Sequence, residues 1–243
     1  MKALLLLSVL LIIGMSPSFA QKKQTITVPS LSNIKIDADL GEWDTLYNVA
    51  DEGFWFYQLA QDAANLYIAI RVENPMIQHL AARNGILLTV QSNKKNRDDI
   101  QFLFPYPDSE VKRAMMNESH DSDAAYKTAL IDRSRGYFVY GFPTVPNGLL
   151  SLKNGYGLEA IARMDDGKLY YEAVIPKPLL DYTTPVATLK LTIYDGFTPL
   201  ISSKKVSASR SGGMYGPYRG RPAPRSRSKD QLTLTVLLET SLD

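Results

Sequence analysis

The side chains that most often carry reaction chemistry are sparse in this chain. Cysteine is absent, and histidine occurs twice, at His79 and His120. Nucleophilic catalysis needs a serine, cysteine or lysine activated by a neighbouring base. No G-x-S-x-G segment offers such a serine. Two histidines are too few for a zinc or haem centre built on imidazole. His120 lies in Glu118-Ser119-His120-Asp121-Ser122-Asp123, which reads as a solvated turn. The carboxylates of Asp98-Asp99 and Asp165-Asp166 are adjacent in sequence. On an extended strand such neighbours face opposite ways, so neither pair is an acid–base couple. Gly212-Gly213 and Gly216 lack the flanking strand and helix of a phosphate loop. No catalytic residue is assigned, and a non-enzymatic role is expected.

The remaining polar and aromatic clusters suit binding or turn formation. Asp37, Asp39 and Glu42 are hard oxygen donors of the kind calcium takes, and closely spaced aspartates are equally the residues of tight turns. Trp55 and Tyr57 share one face of a strand, either as a flat platform or as core. Between Gly196 and Lys229 there are five Arg, three Lys and no acid, with Tyr215 and Tyr218 among them. Arginine pairs bidentately with carboxylate and phosphate and stacks on aromatic rings. That segment therefore suits an acidic glycan or an anionic envelope component; the other reading is a charged, soluble insertion between two strands. The whole chain is +2 at neutral pH, so the rest of it is net acidic. That balance argues against a nucleic-acid partner.

Period-two apolar patterning dominates the chain. Strands are predicted at Thr25–Val28, Ile34–Ile36, Phe54–Ala60, Leu66–Val72, Ile86–Gln91, Ile100–Phe104, Gly136–Phe142, Tyr156–Arg163, Leu169–Ile175, Thr188–Tyr194, Leu200–Val206 and Leu232–Leu237. Phe54–Ala60 and Leu66–Val72 flank a short turn and form an antiparallel hairpin. One helical excursion is predicted over 109–133, capped at Asp108 or Ser109 and broken near Asn117 to Asp123. The fold class is all-β: a two-sheet antiparallel β-sandwich, immunoglobulin-like or jelly-roll-like, with that helical insertion. Residues 21–243 are expected to be one domain, carrying an Arg/Gly/Pro-rich loop at 207–229.

Three stretches together resemble the family 9 carbohydrate-binding modules and their DOMON-like relatives, exported β-sandwich proteins. They are Ile36-Asp37-Ala38-Asp39-Leu40-Gly41-Glu42-Trp43, then Asp62-Ala63-Ala64-Asn65-Leu66-Tyr67 with its strand to Val72-Glu73-Asn74-Pro75, and Tyr171-Glu172-Ala173-Val174-Ile175-Pro176. Trp43 reads as a core plug beside its acidic turn, and Glu172 as a surface or edge carboxylate. The resemblance implies a sugar clamp of two aromatics and, in some members, calcium. At the first clamp position, between Glu73 and Gly85, this chain has no Trp, Tyr or Phe, which leaves His79, Arg83 and Asn84. At the second, the loop before the last strand offers Tyr215 and Tyr218. The candidate ligand-binding residues are thus Tyr215, Tyr218, His79 and Arg83; no metal ligand and no cofactor is assigned, calcium apart.

The N-terminus has the order of an export signal: Lys2, the apolar run Ala3 to Ile13, and Ser18-Phe19-Ala20 before Gln21. The run is shorter than the roughly 20 residues that span a bilayer, so no transmembrane segment is expected after cleavage at residue 20. With no cysteine to carry a lipid, the protein is expected to be periplasmic or extracellular and not a lipoprotein. The functional expectation is a non-catalytic exported protein that binds glycan through the sandwich rim. The alternative is a structural or interaction protein of the bacterial envelope that has lost the clamp.

Overall fold

The computed structural model describes residues 24–26, 28–31, 34–43, 48–50, 53–92, 97–180, 186–197, 199–200 and 232–239. The segment expected to be an export signal, the strand expected at 201–206 and the expected Arg-rich loop with Tyr215 and Tyr218 lie outside them. The described strands are Gln24–Ile26 (β1), Asn48–Ala50 (β2), Trp55–Gln61 (β3), Asn65–Val72 (β4), Ile86–Val90 (β5), Ile100–Phe104 (β6), Gly136–Tyr140 (β7), Gly148–Ser151 (β8), Glu159–Asp165 (β9), Lys168–Pro176 (β10), Val186–Ile193 (β11) and Thr233–Glu239 (β12). They form two sheets, β1-β12-β11-β5-β6-β7-β8 and β2-β3-β4-β10-β9. All neighbours run antiparallel except β1 and β12, which pair in parallel with Thr25 opposite Leu237. The β-sandwich class is as expected.

Side-chain alternation builds the interior. Trp55, Tyr57 and Leu59 of β3, the even-numbered apolar residues of β4 and Tyr171, Ala173 and Ile175 of β10 enter the main core. From the other sheet Leu88, Phe102, Tyr137, Leu189 and Val236 meet them. Trp55 is 1% exposed and Tyr57 0%, so the aromatic pair is core and not a platform.

The opposite faces of β3, β4 and β10 are apolar as well, for a separate reason. Residues 31–43 run across the outside of the five-stranded sheet. Leu31, Ile34, Ile36, Leu40 and Trp43 cover Ala60, Tyr67, Ala69 and Val174 there in a second, smaller core. Residues 34–36, predicted as a strand, are not one. Their role is to lay alternate apolar side chains on a sheet without joining it.

Three helices are described: Pro75–Asn84 (α1), Ser109–Asn117 (α2) and Asp123–Asp132 (α3). The last two are the expected excursion, divided where expected. Helix α1 was not foreseen; it packs on α3 and touches β4, β10 and β11, so it reaches both sheets. Gly85 ends it at φ 99°, and a side chain there would meet Pro105 O at 2.4 Å and Leu103 Cδ1 at 2.6 Å. Only glycine fits.

Candidate functional site

The three family-like stretches converge on the outer face of the five-stranded sheet. Glu172 leaves β10 on that face, opposite Ala69 on β4 and Ile161 on β9. It is 0% exposed, which corrects its expected surface position: the segment over the sheet buries it. Trp43 Nε1 donates to Glu172 Oε1 at 2.6 Å. The backbone N–H groups of Asp37 and Ala38 donate to Oε2 at 3.0 and 2.6 Å. Burial pushes the Glu172 carboxyl above the ordinary carboxylate value, and these three donors pull it back. The same carboxylate holds Ala38 at φ 59°, a left-handed conformation that costs a non-glycine residue about 1–3 kcal/mol.

The acidic turn is self-contained. Asp37 accepts from the Lys35 ammonium at 2.7 Å and from Asp39 N at 2.9 Å. Asp39 accepts from Gly41 N, and Glu42 from Lys35 N. Asp62 likewise accepts from the backbone of Ala64 and Asn65 and from the Tyr67 hydroxyl. Among the described residues no group of three or more His, Cys, Asp or Glu is arranged to hold a metal ion. These carboxylates work as turn and cap acceptors, so the family-like motif locks the N-terminal segment onto the sheet.

The other convergence is at the helices. Asn74 starts α1 by accepting from Met76 N and Ile77 N, with Pro75 in the first turn. His79 and Arg83 are then i and i+4, hence on one side of it. Gln78, 1% exposed, donates to the carbonyls of Val72, Glu73 and Gly167 and accepts from Lys127 Nζ at 3.0 Å. Lys127 is itself buried and ion-paired with Asp123 one turn earlier. This buried polar link fixes α3 against α1 and thereby presents the neighbouring Tyr126 to His79.

Tyr126 is the centre of the cluster. The His79 ring lies parallel to it, centroids 5.6 Å apart and planes at 7°. The His120 ring meets it edge-on at 5.0 Å and 74°. Arg83 Nη1 donates to the Tyr126 hydroxyl at 3.3 Å, while Nη2 lies 4.0 Å from Met116 Sδ. Both histidines of the chain therefore touch one tyrosine. His120 is partly buried, with Nε2 out of solvent and unpartnered, so it is not the solvated turn residue expected. Burial holds the His79 imidazole below its ordinary 6.5; Asp123 opposes that, and Arg83 and Lys127 reinforce it.

Lys112 lies one turn before Met116 on α2. Burial and the charge of Arg83 keep its ammonium below the ordinary lysine value. Arg83 and Lys112 have no ion-pair partner among the described residues. Glu118 is bound to Arg133 by two bonds of 2.7 and 2.8 Å and Asp123 to Lys127; Asp108 caps the α2 N-terminus through one oxygen, and its charge partly offsets that of Arg83 at Lys112.

Of the expected ligand residues, His79 and Arg83 thus come together, Tyr126 and Lys112 join them, and Tyr215 and Tyr218 fall outside the described residues. The sequence does not mark out Tyr126, because the apolar residues of its helix are spread around it and a lysine, Lys127, lies on the buried side. No helix among the described residues is long and apolar enough to cross a membrane.

Comparison with solved structures finds a likeness to a family 9 carbohydrate-binding module from Caldicellulosiruptor kristjanssonii in complex with glucose. The identity is 11% and the TM-score 0.39, over 70% of this chain and 78% of that one. No family model and no curated protein matches the chain.

Proposed function

We propose that the protein is an exported, non-catalytic binding protein and that its ligand, a glycan, sits on the helical cap around Tyr126. The observation that carries this reading is the meeting of His79, Arg83 and Tyr126 in one partly exposed cluster. Sugars present C–H faces bordered by hydroxyls. Amphipathic rings such as tyrosine and histidine pack against the faces and hydrogen-bond at their edges. A few convergent polar groups then fix orientation. The Tyr126 oxygen accepts from Arg83, which leaves its own hydrogen for a ligand oxygen. The cluster is also held firmly: the Gln78–Lys127–Asp123 link positions it from below, the kind of support that a binding site requires.

Calorimetric titration of the purified protein with a panel of oligosaccharides tests this. Binding of at least one member is expected, weakened about tenfold or more by Arg83→Ala, the loss of a charged hydrogen-bond donor. Background heats across the panel would remove the glycan reading.

A second reading, an interaction protein of the envelope, is favoured by the burial of Trp55 and Tyr57 and by the structural use of Trp43 and Glu172. A silent panel from a cooperatively folded protein would turn the account to it.

A further inference from the structure

We propose that the ligand of the helical cap is an anionic glycan, its oxyanion gripped between Arg83 and Lys112 with the Tyr126 hydroxyl as the third donor. The proposal rests on the glycan reading above and deepens it. The reason lies in the imbalance of donors and acceptors. Arginine carries five N–H donors, lysine three, and neither accepts. Among the described residues Arg83 makes two side-chain contacts, one to a hydroxyl and one to a thioether. Among the described residues no carboxylate pairs with Arg83 or with Lys112. Glu118 and Asp123 are engaged with other donors, and Asp108, whose charge reaches Lys112, spends one oxygen on the helix cap and forms no ion pair among the described residues.

Lys112 sits one turn before Met116, the residue that Arg83 reaches, so two cations share one edge of the cap; burial first and the Arg83 charge second hold the Lys112 ammonium low, with Asp108 opposing them. A fold that kept such a pair for its own stability would set a carboxylate between them. A neutral sugar hydroxyl both donates and accepts, and half of that capacity is wasted on a surface made of donors. A carboxylate, sulfate or phosphate group accepts only, and it forms the shorter, stronger bonds of a charged pair. Met116, 69% exposed beside Arg83, adds an adaptable apolar edge for the sugar ring.

The test is calorimetry on the full protein with four probes: a neutral hexose oligosaccharide, a hexuronate oligosaccharide of equal length, a sulfated oligosaccharide and inorganic phosphate. The expected result is that one or both acidic glycans bind about tenfold or more tighter than the neutral one in low salt. The advantage should collapse at about 0.5 M salt, where screening is short-ranged. Lys112→Gln should remove most of it. Arg113→Gln, which deletes the same charge from an exposed neighbouring position, should leave affinity within about twofold. The ranking of hexuronate against sulfated probe identifies the oxyanion. Equal affinity for neutral and acidic glycans, unmoved by Lys112→Gln, overturns this inference and leaves the glycan reading standing. Phosphate binding with all oligosaccharides silent, or no binding at all, overturns both. Thermal unfolding of each variant shows whether it has folded.

Discussion

Glu172 shows how one residue can hold two parts of the chain in register. It sits mid-strand, where its neighbours are apolar, and it accepts from three N–H groups of a segment more than a hundred positions away. A buried carboxylate is tolerable only with such partners. Glu172→Gln keeps the shape but turns one acceptor oxygen into an N–H2 group, so in either orientation at least one donor from Trp43 or the 37–38 backbone faces another donor. Leaving a buried donor unmet costs about 1–3 kcal/mol. Urea unfolding should register that loss without a change in the slope of the transition. Trp43→Phe removes the indole donor and should cost a similar about 1–3 kcal/mol, and combining the two changes should cost less than their sum, because they break the same bond. Fully additive losses would show that the two side chains do not depend on each other.

Among the elements, α1 decides the site, and its boundaries were written plainly in the sequence: Asn74-Pro75 at the start and Gly85 at the end are ordinary start and stop signals. They were hidden because Val72-Glu73-Asn74-Pro75 also reads as the end of a strand, and because Gln78, buried and polar, breaks the apolar periodicity. Most strands of the sandwich were legible as apolar runs or alternations bounded by turn residues; β2 and β8 were not, since three or four residues carry no period. Ile34–Ile36 misled for the opposite reason: it alternates like a strand, yet its backbone pairs with no sheet, and burial alone explains the pattern. Of the candidate site, His79 and Arg83 were singled out from the sequence; Tyr126 and Lys112 were not, since only the packing of the helices on one another brings them beside Arg83. Lys127→Met should sever the link between α3 and α1 and leave the Gln78 oxygen unmet, costing about 1–3 kcal/mol and weakening ligand binding at the same time.

The histidine at this element also sets a pH dependence. His79 binds a proton less readily folded than unfolded, so the unfolded chain takes up more protons below the ordinary value. Stability from this group is therefore present above about pH 6.5 and lost as the pH falls through the lower folded value. Unfolding midpoints measured from pH 7.5 down to pH 5 should fall, and His79→Phe should flatten that decline. A decline unchanged in the variant would assign it to other groups.

At the scale of the whole molecule, the chain's first and last described strands lie side by side, β1 against β12, while Val28 enters the main core and Pro29 O accepts from Gln61 N on the other sheet. The N-terminal segment thus ties both sheets together before it covers the smaller core. Removing residues through Val28 would strip β12 of its neighbour and leave an unpaired edge, a template for association. Light scattering should report oligomers from the truncated protein and a monodisperse species from the intact one. Equal, monodisperse behaviour would mean that the edge needs no cover.

In the proposed function the sheets make the frame and the three helices make the surface that meets a ligand. Backbone amide shifts recorded during titration with a hexuronate oligosaccharide test that division most directly. The account predicts that the largest changes fall in residues 75–84, 109–117 and 120–132, and that Arg83→Ala moves them to about tenfold or more higher ligand concentration. Changes centred on the rim loop Leu152 to Glu159, or spread over the outer sheet faces with the helices silent, would contradict it.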